Sequence, residues 1–149
     1  MLASARVQNL VTGLAVAVAL ATTARAQPAA PAPAAAPKPE IFFRAPANGA
    51  TVPATFPVVF GLRNYGVAPA GVNATGVGHF HVLVNTAAPA TGVVIPQDTV
   101  NLHFGKGQIE TTITLKPGRH TLRLVLGDHE HKVIGPELIS APITVTVRP

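Results

Sequence analysis

Residues 121–126, Thr-Leu-Arg-Leu-Val-Leu, decide the fold class, because apolar side chains alternate there with mostly polar ones. A period of two residues is typical of a β-strand that buries one face. The same alternation recurs over residues 143–147, Ile-Thr-Val-Thr-Val. Both stretches therefore predict strands that each pack one side against a core.

Short β-favouring runs of this kind continue back to residue 41, separated by clusters of Gly, Pro and Asn. Regular short strands between turn signals are the pattern of a sandwich or barrel. The predicted strands are Ile41–Arg44, Phe56–Asn64, His79–Asn85, Val100–Phe104, Gln108–Leu115, His120–Leu126 and Leu138–Val147. The chain is therefore predicted to be all-β, an immunoglobulin-like antiparallel β-sandwich of about seven strands.

The turn at residues 116–119, Lys-Pro-Gly-Arg, joins two of the predicted strands. Proline fixes φ at the first central position of a type II turn, and glycine accepts the positive φ of the second. The sequence thus predicts a β-hairpin here. No stretch of the domain has sustained helical periodicity, so one turn of helix near residues 95–99 is the most that we expect.

The first forty residues predict export. Arg6 precedes an apolar run over residues 10–21, and Ala24-Arg25-Ala26 fits a signal-peptidase site. The apolar run is shorter than the ~20 residues that span a bilayer. We therefore expect a signal peptide at 1–26, an Ala/Pro-rich spacer at 27–40 and a β-sandwich domain at 41–149. The mature protein would be periplasmic or secreted, without a membrane span.

Composition excludes several functions. The chain has 11 Lys+Arg and 6 Asp+Glu, with a net charge of +5 and no basic run, so nucleic acid is not an expected partner. Cysteine is absent, which excludes disulfides, thiolate metal sites and a thiol nucleophile. The two serines, Ser4 and Ser140, lack the glycine pattern of a nucleophile elbow, which argues against a serine hydrolase.

Histidines are the best functional clue. Two His-x-His pairs, at 79/81 and 129/131, each place two imidazoles on one face of an extended strand. His103 lies in another predicted strand, and His120 directly after the Pro-Gly turn is best explained as a structural residue. The candidate metal ligands are therefore His79, His81, His103, His129 and His131, with Asp128 or Glu130 as an oxygen ligand or an orienting partner.

Imidazole sites without thiolates suit Zn²⁺, Cu²⁺ or Ni²⁺, and the single methionine is the initiator, so Cu(I) is disfavoured. The leading hypothesis is a non-enzymatic exported domain that coordinates Cu²⁺ or Zn²⁺. The alternative is a metal-free envelope or adhesion module with structural histidines and a protein or glycan partner. A metal-dependent hydrolase or oxidase is the third hypothesis, and it would need a general base such as Glu110 or Glu130.

Several motifs in the same order resemble the DUF4399 family of bacterial exported proteins of unknown function. They are VFGLRNYGVAPAG at 59–71, GHFHVLV at 78–84, HFGKGQIE at 103–110, LKPGRHTL at 115–122 and GDHEH at 127–131. The resemblance covers residues 41–147 and implies compartment and fold but no catalytic residues. That family commonly has three successive histidines where this chain has His79-Phe80-His81. Phe80 should face away from its two neighbours, so its presence need not damage a site that they build.

Overall fold

The computed structural model describes residues 37–149. The predicted signal peptide at 1–26 and residues 27–36 of the predicted spacer lie outside this part and stay predictions. Within the described part, no helix has the length and apolar character to cross a membrane.

The described chain forms nine strands and one turn of 3₁₀-helix at Pro136–Leu138. The strands are β1 (Glu40–Ala45), β2 (Ala50–Val52), β3 (Thr55–Arg63), β4 (Gly66–Val67), β5 (Val77–Val84), β6 (Asn101–Phe104), β7 (Glu110–Thr114), β8 (Gly118–Gly127) and β9 (Ile143–Val147). A strand is present in each of the seven predicted ranges, although the last begins at Ile143 and not at Leu138, which belongs to the 3₁₀-turn. The all-β class is confirmed. The sequence did not indicate β2 and β4, which are three and two residues long and therefore too short to show alternation.

The strands form two sheets. The smaller has the order β1-β3-β7, and the larger runs β2-β9-β8-β5, with β5 also pairing with β4 and β6. Most pairs are antiparallel, but β2–β9 and β4–β5 are parallel, so the prediction of a purely antiparallel sandwich was wrong at these two short pairs. The immunoglobulin-like arrangement stays a prediction.

The predicted hairpin at residues 116–119 was wrong. β7 pairs with β3 in the smaller sheet, whereas β8 pairs with β5 and β9 in the larger one, so the Pro-Gly turn carries the chain across the core. Ile113 before the turn and Leu122 after it enter the same core cluster from the two sheets. Gly118 has the expected positive φ of 132°. Two alternating runs around a turn look alike in sequence whether the turn closes a hairpin or crosses between sheets.

The helical turn expected at residues 95–99 was also wrong, because the described segment is a bend. One oxygen of the Asp98 carboxylate accepts hydrogen bonds from the backbone N–H groups of Val100 and Asn101 at 2.8 and 2.9 Å. Such a local bond from an aspartate side chain competes with helix formation. The 3₁₀-turn instead lies at Pro136–Leu138, with proline in its first turn.

The main core lies between the sheets. Phe60 of the smaller sheet contacts Phe80 and Phe104 of the larger one, with ring centroids 4.7 and 5.2 Å apart. Beneath and around them pack buried aliphatic side chains such as Leu124 and Val58. This core explains why Phe80 is directed away from the histidines on either side of it.

A second, smaller core covers the outer face of the larger sheet. Leu83 of β5 and Val125 of β8 pack there against Ile95 and Val133, which belong to the loops at 85–100 and 128–142. Consequently β5 is buried on both faces over almost its whole length. The histidines of β5 lie on this loop-covered face.

Candidate metal centre

Strand geometry places three of the candidate histidines together. His79 and His81 are two residues apart in β5, so they share a face, and His81 is directly opposite His103 of β6 in the antiparallel register. Ring centroids are 4.8 Å apart for His79 and His81, 5.0 Å for His79 and His103, and 5.1 Å for His81 and His103. One ring nitrogen from each lies within 4.8 Å of those of the other two.

A fourth imidazole reaches the same place from the loop after β8. The His131 ring centroid is 4.8 Å from that of His79 and 4.8 Å from that of His103, but 6.0 Å from that of His81. We call His79, His81, His103 and His131 the histidine cluster. Its first three members stand on strands, and the fourth stands on a loop.

The other two candidates have different surroundings. Among the residues that the structure describes, His129 is not one of the mutually contacting imidazoles. The Asp128 carboxylate shapes the loop, accepting hydrogen bonds from the backbone N–H groups of Glu130 and Lys132, both at 2.9 Å. Its negative charge also acts on His79, where it opposes part of a pKa depression. Asp128 therefore sits near the histidine cluster as an orienting and electrostatic neighbour.

His79 and His81 are almost completely enclosed, with 1% and 0% of their surface exposed. Their Nε2 atoms are 3.0 Å apart, so one imidazole donates a hydrogen bond to the other. His81 Nδ1 and His103 Nε2 are buried and have no hydrogen-bond partner in the described structure. Buried polar atoms nearly always have a partner, so two orphaned nitrogens in one cluster require an explanation.

Burial also sets the charge of these rings. Desolvation, followed by the positive charge that neighbouring histidines would carry, lowers the pKa of His79 to about 4 and that of His81 to about 3. Desolvation and His131 lower the pKa of His103 as well. The rings on the strands are therefore neutral near pH 7, and a neutral imidazole has the free lone pair that a metal ion needs.

Two glycines that sequence reasoning did not single out make room for the rings. Gly127 of β8 is opposite His79, and a Cβ atom there would lie 2.9 Å from His81 Nε2. A Cβ atom on Gly105 would collide with the His103 ring. A glycine inside a strand often marks such a close approach, and Gly127 at the end of β8 carried that signal.

Gly127→Ala is expected to lower the free energy of unfolding by about 1–3 kcal/mol, because the added methyl group overpacks an enclosed ring. Chemical denaturation would measure this cost, and imidazole nitrogen NMR would report the displacement of His81. Gly61→Ala is the matched control, because its Cβ atom would collide with the Phe42 ring in the smaller sheet. If the two variants left the His81 signals equally unchanged, the steric role of Gly127 would be refuted.

His120 has the structural role expected from its place after the turn. Asn85 Nδ2 donates to His120 Nδ1 at 3.0 Å, and His120 Nε2 donates to the carbonyl oxygen of Lys116 at 2.8 Å. The Asn85 amide is itself oriented by Thr121 N–H, which donates to its Oδ1. His120 thus stabilises the crossing turn and is confirmed as a residue outside the cluster.

The two candidate general bases lie in other settings. Glu110 is in β7 of the smaller sheet, opposite Val59. Glu130 forms an ion pair with Lys132, with 2.7 Å between Oε2 and Nζ, and both side chains are largely exposed. Neither carboxylate belongs to the ligand group that the described residues form.

Comparison with known proteins identifies the family. No curated protein matches the chain, and no solved structure does. Residues 58–148 match the family described as "Domain of unknown function (DUF4399)", and this stretch contains β5, β6, β8 and all four members of the histidine cluster. Since the match spans more than half of the sequence, the chain belongs to the DUF4399 family.

Proposed function

We propose that this chain is an exported, non-enzymatic domain that binds a divalent transition metal, Zn²⁺ or Cu²⁺, through His79, His81 and His103. The observation that carries the proposal is the convergence of three neutral imidazoles on the loop-covered face of β5 and β6. Export rests on the signal peptide that the sequence predicts, and an immunoglobulin-like scaffold is part of the same proposal.

The distances suit a metal site. Zinc–nitrogen bonds are about 2.0–2.1 Å long, so two nitrogen ligands of a tetrahedral ion are roughly 3.3 Å apart. The two Nε2 atoms of His79 and His81 are 3.0 Å apart, so a small expansion would admit an ion between them. The hydrogen bond that now joins them would be exchanged for two bonds to the metal.

The histidine cluster stabilises the fold less than aliphatic side chains in the same place would. A buried polar atom without a partner costs about 1–3 kcal/mol, and two such nitrogens lie here. Aliphatic side chains would fill the same space without that penalty, as Leu83 and Val125 do on the same face. An ion bound between His79 Nε2 and His81 Nε2 would also take the unused lone pair of His103 Nε2, which would explain an imidazole at that position, whereas His81 Nδ1 would stay without a partner.

The donor set also favours particular ions. Imidazole binds Zn²⁺ and Cu²⁺ well, and copper(II) forms the tighter complexes with most nitrogen sites. The chain has no cysteine and its one methionine is Met1, so the β domain lacks the sulfur ligands that select Cu(I). We therefore expect a preference for the divalent ions.

The test is metal content and affinity of the untagged mature protein, measured by plasma mass spectrometry and competition titration. The parent should carry about one Zn²⁺ or Cu²⁺ per chain, and His103→Ala should weaken binding about 100-fold, because one of three strand ligands is lost. His120→Ala, which removes an imidazole outside the cluster, should bind like the parent. A parent protein that binds neither ion on titration would refute the proposal and direct the search toward protein or glycan partners.

A further inference from the structure

We infer that His131 is a fourth, loop-borne ligand that closes the site over the metal and controls how fast the ion leaves. The inference rests on the proposed function, because it assigns a role at the same site. The three strand histidines account for binding of the ion, whereas His131 accounts for the rate of its release.

The four imidazoles differ in the secondary structure that positions them. His79, His81 and His103 belong to paired strands: β5 pairs with β6 and with β8, and β6 pairs with β5. His131 belongs to the loop that follows β8, and its side chain is only partly buried. Three ligands therefore stand on paired strands, whereas the fourth stands on a loop, where its side chain can rotate without breaking a strand pairing.

The His131 ring lies beside two of the three strand imidazoles, His79 and His103. It packs edge-on against His79, with an interplanar angle of 74°, and at 59° against His103. It is farther from His81 and stands outside the close group of three nitrogen atoms. A modest rotation of the side chain toward the centre of the group would add its nitrogen to the other three.

The loop backbone is built to present this ring. His131 has a φ of 65°, a left-handed conformation that is uncommon for a residue with a side chain. Four bonds hold it there. The His131 N–H donates to the Asp128 carbonyl oxygen, its own carbonyl accepts from the Ile95 N–H, and the Asp128 carboxylate accepts the two neighbouring N–H groups described above. Strained backbone that its surroundings hold in place often occurs at functional sites.

The fourth ligand changes what the site can do. A zinc ion with three protein ligands keeps an open position for water or substrate, whereas four protein ligands close the coordination sphere. Closure by His131 suits a domain that holds or carries an ion. Release could then begin with the loop ligand alone, which leaves the ion on the strand histidines with one side open.

The probe is Co²⁺, whose visible spectrum distinguishes four-coordinate from higher coordination, combined with the rate of metal transfer to a chelator. His131→Gly is the variant of choice, because glycine adopts the positive φ without strain, which offsets part of the packing lost with the ring, and chemical denaturation of the metal-free protein checks that it folds. His129→Ala is the matched control, because it removes an imidazole from the same loop but not from the cluster.

We expect intense four-coordinate bands for the parent and His129→Ala. His131→Gly should give the weaker bands of a solvated ion, at least about a tenfold faster release, and recovery of the parent spectrum on adding imidazole. If the parent binds Co²⁺ and His131→Gly shares its spectrum and release rate, the inference is wrong while the proposed function stands. If the parent binds no Co²⁺, the inference fails, and if it also binds neither Zn²⁺ nor Cu²⁺, the proposed function fails with it.

Discussion

Acidification of the metal-free protein from about pH 7.5 to about pH 4.5 is expected to remove on the order of 2–3 kcal/mol of stability for each of His79 and His81. Both rings have an ordinary pKa of 6.5 in the unfolded chain, and burial lowers the folded values to about 4 and about 3. As the pH falls below 6.5, the unfolded chain binds protons that the folded protein does not. The loss continues down to the folded pKa values and is absent above 6.5.

Chemical denaturation in the presence of a chelator, at a series of pH values, would measure this loss. His81→Leu removes one of the two buried groups and should reduce the slope of stability against pH by about half, whatever its effect at neutral pH. Val82→Ala should retain the parent slope, because it removes apolar atoms from the other face of β5 and no titratable group. A parent protein equally stable at the two ends of this range would show that the rings are not buried as the structure has them.

Much of the fold could be predicted from local pattern. Alternation in residues 121–126 and 143–147 correctly predicted the strands β8 and β9, because one face of each packs against a core. The pairing of the strands could not be predicted in the same way. Pro117 and Gly118 specify a change of direction, but whether the next strand stays in the sheet or crosses the core depends on partners distant in sequence, such as β3 for β7.

Local sequence pattern also could not predict that the outer face of the larger sheet is buried. β5 reads as a strand, yet the loops at 85–100 and 128–142 bury its second face, and they show no periodicity of their own. Ile95 and Val133 contribute apolar anchors that look like isolated loop residues in the sequence. Because these two loops bury the outer face of β5, the histidines on that face are enclosed and not exposed to solvent.

The candidate site was predicted in part. The period of a strand places His79 and His81 on one face and Phe80 on the other, and the structure has them so. The register that sets His103 opposite His81 depends on the loop between β5 and β6, so spacing alone could not fix it. If residues 129–131 formed an extended strand, His129 and His131 would share one face, so the sequence could not distinguish one from the other as a ligand. In the structure they lie in a turn that Asp128 organises, and only His131 points into the cluster.

Saturating Zn²⁺ is expected to raise the free energy of unfolding of the parent by about 4 kcal/mol when free metal exceeds the dissociation constant about 1,000-fold. The double variant His79→Ala/His81→Ala should lose this stabilisation, because it removes the two ligands that share the closest pair of nitrogen atoms. Denaturant titration at fixed free Zn²⁺, with and without metal, measures the effect directly for each protein.

Unfolded chains also bind zinc through histidines, which reduces the apparent stabilisation. The double variant His120→Ala/His129→Ala controls for this, because it leaves the same number of imidazoles in the unfolded chain and keeps all four members of the cluster. It should gain about as much stability from Zn²⁺ as the parent does. An equal loss in both double variants would mean that zinc recognises histidine content rather than the arrangement on β5 and β6. Because the two double variants have the same number of histidines, a difference between them measures the contribution of the folded arrangement on β5 and β6 to zinc binding.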